Sequence, residues 1–552
     1  MNDVEVTPSA ARPRRPVQLV ILLIVIAAAI VVALIVFLRG RPAEWNPAAH
    51  LPKEVSLAIT VDLTNTAEKD AAWDFIDGIL KDAGVEDFEK EVFKDLNREL
   101  DIDVERDVLS RLNGTGGVAL LTEMSGMIPG VSVVAGAKSD GDAEALVNLI
   151  IDRLKKAGAR TTTQTYEGVS YYQISMQQYQ LCLAALDSGV LFASGQGPFK
   201  KTIDAAKGGA SLAQDQYFAR YRQTSPSTFI TTYFSGPNFY KLVGPFLAMG
   251  MGMAAPGAAE SMKQYLEANV AVVGNGEATG DGLTFAIKGV TSEENILPEL
   301  QSIDDLVTSI PKDAGLALSA QGIEQAMTEF RKRLQSDPAM KSQMQPVLDQ
   351  MKQQFGIDLI PDVLDRLKAL TMYWVARRPA KPGEAPGYFV FSFTVDKPVA
   401  VRRTVAKIHA IAAQSGMKFA QTSVEGRKVT IGTSATEDFR LGEVFVGNKL
   451  ILTMSGQNFG EAVRGAMAAA GARGKGIADT DAFKLVKKQL PSKTSAVVFA
   501  DVANIVGKFR ADMSSEDRKV VDAVFKKVGP VGMTAESDRK VYGLQVAIPF
   551  KK

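Results

Sequence analysis

The sequence predicts an α+β protein of two tandem homologous repeats with largely antiparallel sheets, preceded by one N-terminal transmembrane helix. The first sign is a motif written twice. Ile102-Asp103-Val104-Glu105-Arg106-Asp107-Val108-Leu109-Ser110-Arg111-Leu112 returns as Ile357-Asp358-Leu359-Ile360-Pro361-Asp362-Val363-Leu364-Asp365-Arg366-Leu367. The second is that both copies are flanked by helical periods alternating with short, turn-linked strands, in the same order. The third is the apolar run 17–38, interrupted only by Gln18.

At ~1.5 Å per residue, that run spans the ~30 Å hydrocarbon core of a bilayer as one helix. It is too long for the core of a cleaved signal peptide, and Arg39-Gly40-Arg41 is no small-residue cleavage site, so it reads as a single-pass signal anchor. Arg12, Arg14 and Arg15 precede it, while Arg39, Arg41 and Lys53 follow it. Three arginines in a short tail resist translocation, whereas a long downstream domain crosses regardless of its charge. The expected placement is the cytoplasmic (inner) membrane, with the bulk of the chain extracytoplasmic. Residues 1–16 read as a disordered cytoplasmic tail and residues 39–50 as a tether, both marked by prolines.

The repeats are expected at 51–290 and 309–549, joined by a linker at 291–308. Each opens on a Pro-Lys pair (Leu51-Pro52-Lys53; Ile310-Pro311-Lys312) and a strand. Helical segments follow at 71–83 and 88–100, and at 323–334 and 344–355. The twice-written motif comes next. On a helix begun at Asp107 or Asp362 the aspartate would cap the first turn, and Val108, Leu109 and Leu112 (or Val363, Leu364 and Leu367) would form an apolar face. Arg111 and Arg366 would pair with a nearby carboxylate or bond the helix's last carbonyls. Asp103 and Asp107 could also be read as paired carboxylates for acid–base work. The doubling without histidine, cysteine or a phosphate loop favours a fold signature instead.

Strands follow in each copy, then a helix stopped at Gly158 or Gly416, where a left-handed cap fits glycine. A hairpin turns at Glu167-Gly168 in one copy and at Glu425-Gly426 in the other. Two further strands lead to Ser194-Gly195-Gln196 and Ser455-Gly456-Gln457, each opening a helix that the serine would cap, or at whose start it would hold an anion. A shorter helix, a strand and a final hairpin close each copy. Two copies fall short of a solenoid and imply two similar domains.

Composition narrows the function classes. Lys+Arg (63) and Asp+Glu (62) balance in the 552 residues, so no global basic field points to nucleic acid. The single cysteine, Cys182, excludes an internal disulfide framework and reads as a buried strand residue. The two histidines, His50 and His409, read as surface or satisfied side chains, and nothing has zinc spacing. Gly471-Ala472-Arg473-Gly474-Lys475-Gly476 lacks the first glycine and the final Ser/Thr of a Walker loop and reads as a connector. Arg377-Arg378-Pro379-Ala380-Lys381-Pro382-Gly383 reads as a solvated basic loop. No cofactor is implied.

The copies differ at one apolar stretch of the first repeat: Phe246, Leu247, Met249, Met251 and Met253, interleaved with alanine and glycine. The second repeat is charged there. Burial against the other repeat, a membrane-facing or apolar-ligand lid, and a copper(I) thioether site at Met249, Met251 and Met253 are the three readings.

With the apolar run, the Leu51-Pro52-Lys53 opening and the motif at 102–112 in view, the chain resembles a bacterial family catalogued as domain of unknown function 3352. The resemblance implies a membrane-anchored bacterial protein and transfers no catalytic residues. The function expected is therefore a non-enzymatic, single-pass envelope protein presenting a duplicated α+β domain for binding or scaffolding. Its partners would be the bilayer through residues 17–38 and a protein or apolar ligand. A carrier or sensor of a lipid-like ligand is the first alternative, and a hydrolase using Asp, Glu and Ser the second.

Overall fold

The computed structural model describes residues 45–551 apart from 65, 83–96, 98–101, 126–127, 157, 177–178, 245–257, 293–299, 337, 379–385, 435–439, 456–458 and 472–475. Two compact units emerge. The first comprises the chain up to Ala67, Asp87–Arg222 and Phe229–Leu242; the second comprises Glu68–Glu86, Gln223–Thr228 and Val243–Lys552. Both are α+β, and every strand pairing among the described residues is antiparallel.

The first unit uses β1 (Val55–Asp62), β2 (Leu112–Ser125), β3 (Ile128–Ala137), β4 (Arg160–Tyr166), β5 (Val169–Met176), β6 (Tyr179–Leu186), β7 (Gly189–Ala193) and β8 (Thr228–Phe234). Hydrogen bonding arranges them β8-β1-β2-β3-β7-β6-β5-β4. Glu167 (φ 48) and Gly168 (φ 76) make the expected two-residue turn between β4 and β5. Helix Asp140–Lys156 buries Ala143, Leu146, Val147, Ile151 and Leu154, and ends before Gly158 at φ 88. Helix Gln196–Ala206 buries Phe199 and Ile203 completely.

The second unit adds β9 (Asn269–Thr279), β10 (Gly282–Thr291), β11 (Gln301–Ser302), β12 (Leu316–Gln321), β13 (Leu367–Ala376), β14 (Gly387–Val395), β15 (Lys418–Val424), β16 (Arg427–Thr433), β17 (Arg440–Val446), β18 (Lys449–Ser455), β19 (Lys493–Thr494), β20 (Ala496–Ala500), β21 (Val531–Asp538) and β22 (Val541–Pro549). Here the order β20-β12-β13-β14-β18-β17-β16-β15 reproduces that of the first unit strand for strand. Individual backbone bonds recur as well. Lys138 N–H donates to Arg111 O at 2.9 Å and Asp396 N–H to Arg366 O at 2.7 Å; Leu212 donates to Leu51 at 2.8 Å and Ile477 to Ile310 at 2.9 Å.

Two pieces of residues 51–290 fold with the second unit. Helix Ala67–Asp82 stacks Phe75 on Phe550 at 4.0 Å, and its Asp82 pairs with Lys527 at 2.7 Å. Hairpin β9–β10 continues the sheet beyond β20 through β21 and β22, with β10 bonded along β22. Gly289 faces Tyr542 there, and a Cβ would fall 1.9 Å from the tyrosine ring.

The supposed tether and linker are built into the fold where they are described. Asn46 caps Pro47–His50, which seats Ala48 and Leu51 at 0% exposure. Residues 301–308 supply β11, paired with β19, and helix Ile303–Val307, whose Ile303, Leu306 and Val307 are buried in the second core. Both segments carry apolar side chains that lose contact with water only by packing, which a free linker would forgo.

Candidate functional site

The twice-written motif folds into a turn and not into the helix expected from Asp107 or Asp362. Val104–Val108 forms one wide turn, Leu109–Arg111 a tight one, and β2 begins at Leu112. The second copy runs Leu359–Asp362, Leu364–Arg366 and then β13. The aspartates brace the turn backwards. Asp107 Oδ2 accepts from Asp103 N–H at 3.0 Å, and Asp362 Oδ2 accepts from Asp358 N–H at the same distance. Asp103 Oδ1 in turn accepts from Arg106 N–H at 3.0 Å. Hydrogen bonds from the Arg106 guanidinium and the Asp103 amide hold the Asp107 carboxyl down at about 2. An aspartate so occupied stays ionised at neutral pH and serves poorly as a proton donor. Arg111 meets Asp142 at 3.4 Å and Arg366 meets Asp396 at 3.8 Å, the first of the two roles expected of these arginines.

A charged triad, absent from the sequence reading, appears in each unit. Lys201, on helix Gln196–Ala206, lies 2.8 Å from both Glu54 and Glu123. Burial weakens the Lys201 charge, but the two carboxylates outweigh it and raise its pKa; Lys201 lowers that of Glu54. In the second unit Arg377, at the end of β13, reaches Asp313 at 2.6 Å and Glu461 at 2.5 Å. Its guanidinium also lies 5.8 Å from the Tyr388 ring centroid. By strand register and helix position, Glu54 corresponds to Asp313, Glu123 to Arg377 and Lys201 to Glu461. The cation stands on the helix in the first unit and at the strand end in the second, with a carboxylate at the other position in each. Arg377 is thus held by two carboxylates and is not the solvated loop residue expected, while Arg378 pairs at the surface with Asp512 at 2.9 Å.

The least expected cluster lies under helix Pro398–Gln414. His409 stacks on Phe419 of β15 at 4.4 Å, and its Nε2 lies 2.6 Å from Oε2 of Glu443 on β17. That distance requires a proton between the two atoms. The side chains are 21% and 11% exposed. Burial pushes the Glu443 carboxyl up to about 7, against the pull of the Arg402 charge, and lowers the His409 pKa. Counting seven residues back from Gly416 and from Gly158 matches His409 with Ile151; the β17–β18 and β6–β7 registers match Glu443 with Leu183. Ile151 and Leu183 are 2% and 1% exposed. An apolar pair in one unit is therefore a proton-sharing pair in the other. The sequence hinted at this only through a histidine and a glutamate standing at apolar positions.

The remaining candidates resolve as follows. Cys182 is fully buried on β6, and burial pushes its thiol up to about 12, so it is unreactive. His50 is buried, stacked on Trp45 at 4.2 Å with Nδ1 3.0 Å from Asn46 O. Ser194 does not cap the helix after it: Gly195 holds that position at φ 94, and Ser194 Oγ accepts from Val131 N–H at 2.7 Å. The Ser455 helix opening includes residues outside those described. Phe246, Leu247, Met249, Met251 and Met253, the Gly471 connector beyond its first residue, and the run 17–38 also lie outside them. Among the described residues no helix is long and apolar enough to cross a membrane, and no cluster of His, Cys, Asp and Glu has the makings of a metal site.

No curated protein matches the chain. Three solved structures, crystal forms I, III and IV of TP0453, are similar at 9%, 10% and 11% identity, with TM-scores of 0.24, 0.26 and 0.25. They cover 47%, 47% and 44% of this chain and 88%, 90% and 80% of their own. The family described as "Protein of unknown function (DUF3352)" matches residues 19–548. With nearly the whole sequence inside that match, the chain belongs to this family.

Proposed function

We propose that the chain is a non-enzymatic, single-pass protein of the bacterial cytoplasmic membrane, presenting a duplicated extracytoplasmic α+β domain for binding or scaffolding. The observation that carries this reading is the identical strand order of the two units behind the apolar run 17–38. The recurring backbone bonds and the triads at corresponding positions support a common origin for the units. The charged side chains of the twice-written motif and of the triads are engaged in bracing turns and joining elements, as a scaffold requires.

The test uses the full chain in a bacterial host. The expected outcome is retention in the membrane fraction after an alkaline wash. A cysteine placed at the exposed Asp481 (D481C) should react with a membrane-impermeant maleimide on intact spheroplasts, while the buried Cys182 stays unlabelled. Release by the wash refutes the anchor, and labelling only after lysis reverses the orientation. Turnover of an ester, glycoside or peptide by the purified chain refutes the non-enzymatic assignment.

A further inference from the structure

One edge of the first unit's sheet is β4, and it lacks the usual protection of an edge. Arg160-Thr161-Thr162-Thr163-Gln164-Thr165-Tyr166 has four threonines, no lysine and no proline, and it pairs with β5 residue for residue without a bulge. Lysine, proline and bulges are the devices that keep open edges from pairing with other chains. The opposite edge, β8, is mostly buried, whereas residues 162–165 are exposed.

Tyr166 and Val169 flank a two-residue turn, so they exchange backbone bonds, and bonding alternates from there. Arg160, Thr162, Gln164 and Tyr166 therefore bond to β5. Thr161, Thr163 and Thr165 direct their N–H and C=O groups away from the sheet, where no second strand among the described residues meets them.

The strand complements itself. Laid antiparallel on a second copy about Thr163, it sets Thr161 against Thr165, Thr163 against Thr163 and Thr162 against Gln164, β-branched and polar pairs that suit a sheet. Arg160 falls opposite Tyr166, whose hydroxyl donates to Asp204 at 3.1 Å, and beside the exposed Glu167. Lys200 and Lys207 lie at that end too, but they are engaged by the Tyr166 ring and the Glu167 carbonyl. Charge separates this edge from its counterpart. Hairpin 160–176 carries Arg160 against Glu167 and no other charge. Hairpin 418–433 carries Lys418, Arg427 and Lys428 against Glu425, so copies meeting through β15 would repel.

We propose that two copies of the chain join antiparallel through β4, with Thr161, Thr163 and Thr165 of each exchanging backbone bonds with the other, so that the sheet of the first unit runs on into the second copy. The proposal stands on the edge itself and does not require residues 17–38 to cross a bilayer.

The test is sedimentation equilibrium of the full chain in detergent micelles across the micromolar range. The protein mass should double as concentration rises. T163P removes an outward donor without touching a β5 bond, and T163K sets like charges face to face; each should raise the dissociation constant about tenfold or more. R160E should weaken the pair and R160E/E167K should restore it, since within one copy the two residues stand at opposite ends of β4. Under mild oxidation T163C should give a disulfide-linked dimer, its Cα atoms about 5.5 Å apart across a bonded pair, and Q421C, the matching site on β15, should not. A single mass at every concentration overturns the proposal, as does a charge swap that fails to restore the pair. A dimer that survives both T163P and T163K, or Q421C crosslinking as readily as T163C, overturns it in favour of another surface.

Discussion

The two units repeat one arrangement of strands and disagree about charge. Around Lys201 two glutamates meet a lysine on a helix; around Arg377 an aspartate and a glutamate meet an arginine at a strand end. A net arrangement of two anions and one cation survives while its members trade places. Under the long helix the difference is of kind: Ile151 and Leu183 are apolar, where His409 and Glu443 share a proton. A contact that only holds elements together tolerates rearrangement as long as its charges sum correctly. A polar pair that replaces a sound apolar one does not improve packing, because desolvating charged groups is costly. The second unit therefore holds a less favourable core contact than the first, and one whose charge changes with pH.

The largest effect that can test the correspondence of the units is in the cores. Phe199, on helix Gln196–Ala206, and Phe459, at the start of the matching helix Phe459–Gly471, should each cost about 3–5 kcal/mol in urea titrations when cut back to alanine, as buried phenylalanine truncations do. Phe199, at 0% exposure against 7% for Phe459, should be the costlier. Insensitivity of either would separate the two helices.

The triads come next. R377A leaves Asp313 and Glu461 facing each other without a cation and should cost about 2–3 kcal/mol, within the range for hydrogen bonds to charged groups. K201A, with more exposed partners, should cost about 1 kcal/mol or less. Recasting the first triad as the second, by E123R with K201E, should recover most of the loss that either single change causes. Failure of the double variant to recover would show that the two triads are not interchangeable.

The proton-sharing pair gives a pH signature. The folded pKa of Glu443, about 7, lies above its ordinary value of 4.5. Its contribution is therefore complete below the lower value and is lost as pH rises through the higher. His409 is lowered from 6.5, so its contribution is complete above that value and is lost as pH falls through the lowered one. Through Glu443 the second unit should lose stability between pH 4.5 and about 7, while the His409 contribution, complete above 6.5, is lost as pH falls below that value. E443Q should remove the loss between pH 4.5 and about 7, and H409I/E443L, which installs the first unit's pair, should flatten the profile on both sides. Urea midpoints measured across pH decide this; a wild-type profile unchanged in E443Q would dismiss the pair as the cause.

The smallest effect should be the same in both units. Gly168 and Gly426 have φ 76 and little or nothing around them, so alanine meets only backbone strain there. Each change should cost about 1–2 kcal/mol, the penalty of the left-handed region for an L-residue. Unequal costs would mean that the two hairpins differ in rigidity.

Local signals were legible in the sequence wherever a few neighbouring residues decide the outcome. Alternating side chains marked β4 to β7 and β15 to β18, and glycine marked the turns and helix stops. The motif at Asp107 misled because its apolar residues suit a helical face equally well. What decides against a helix is β2, which claims Leu112 through a partner on β3. The triads were invisible because Glu54 and Lys201 are distant in the chain, and because the cation sits at different positions in the two copies. His409 and Glu443 are unremarkable singly, and only the sheet brings them together.

Trp45 deserves a last consequence. Its indole N–H donates to Asp187 O at 3.0 Å in the turn between β6 and β7, and a Cβ on Gly189 would fall 2.6 Å from its ring. The segment entering the fold is thus clipped to a hairpin tip by one ring and one hydrogen bond. Among the described residues this clip is the first hold on the fold, and G189A, by evicting the ring, would leave the buried Ala48 and Leu51 as the next ones.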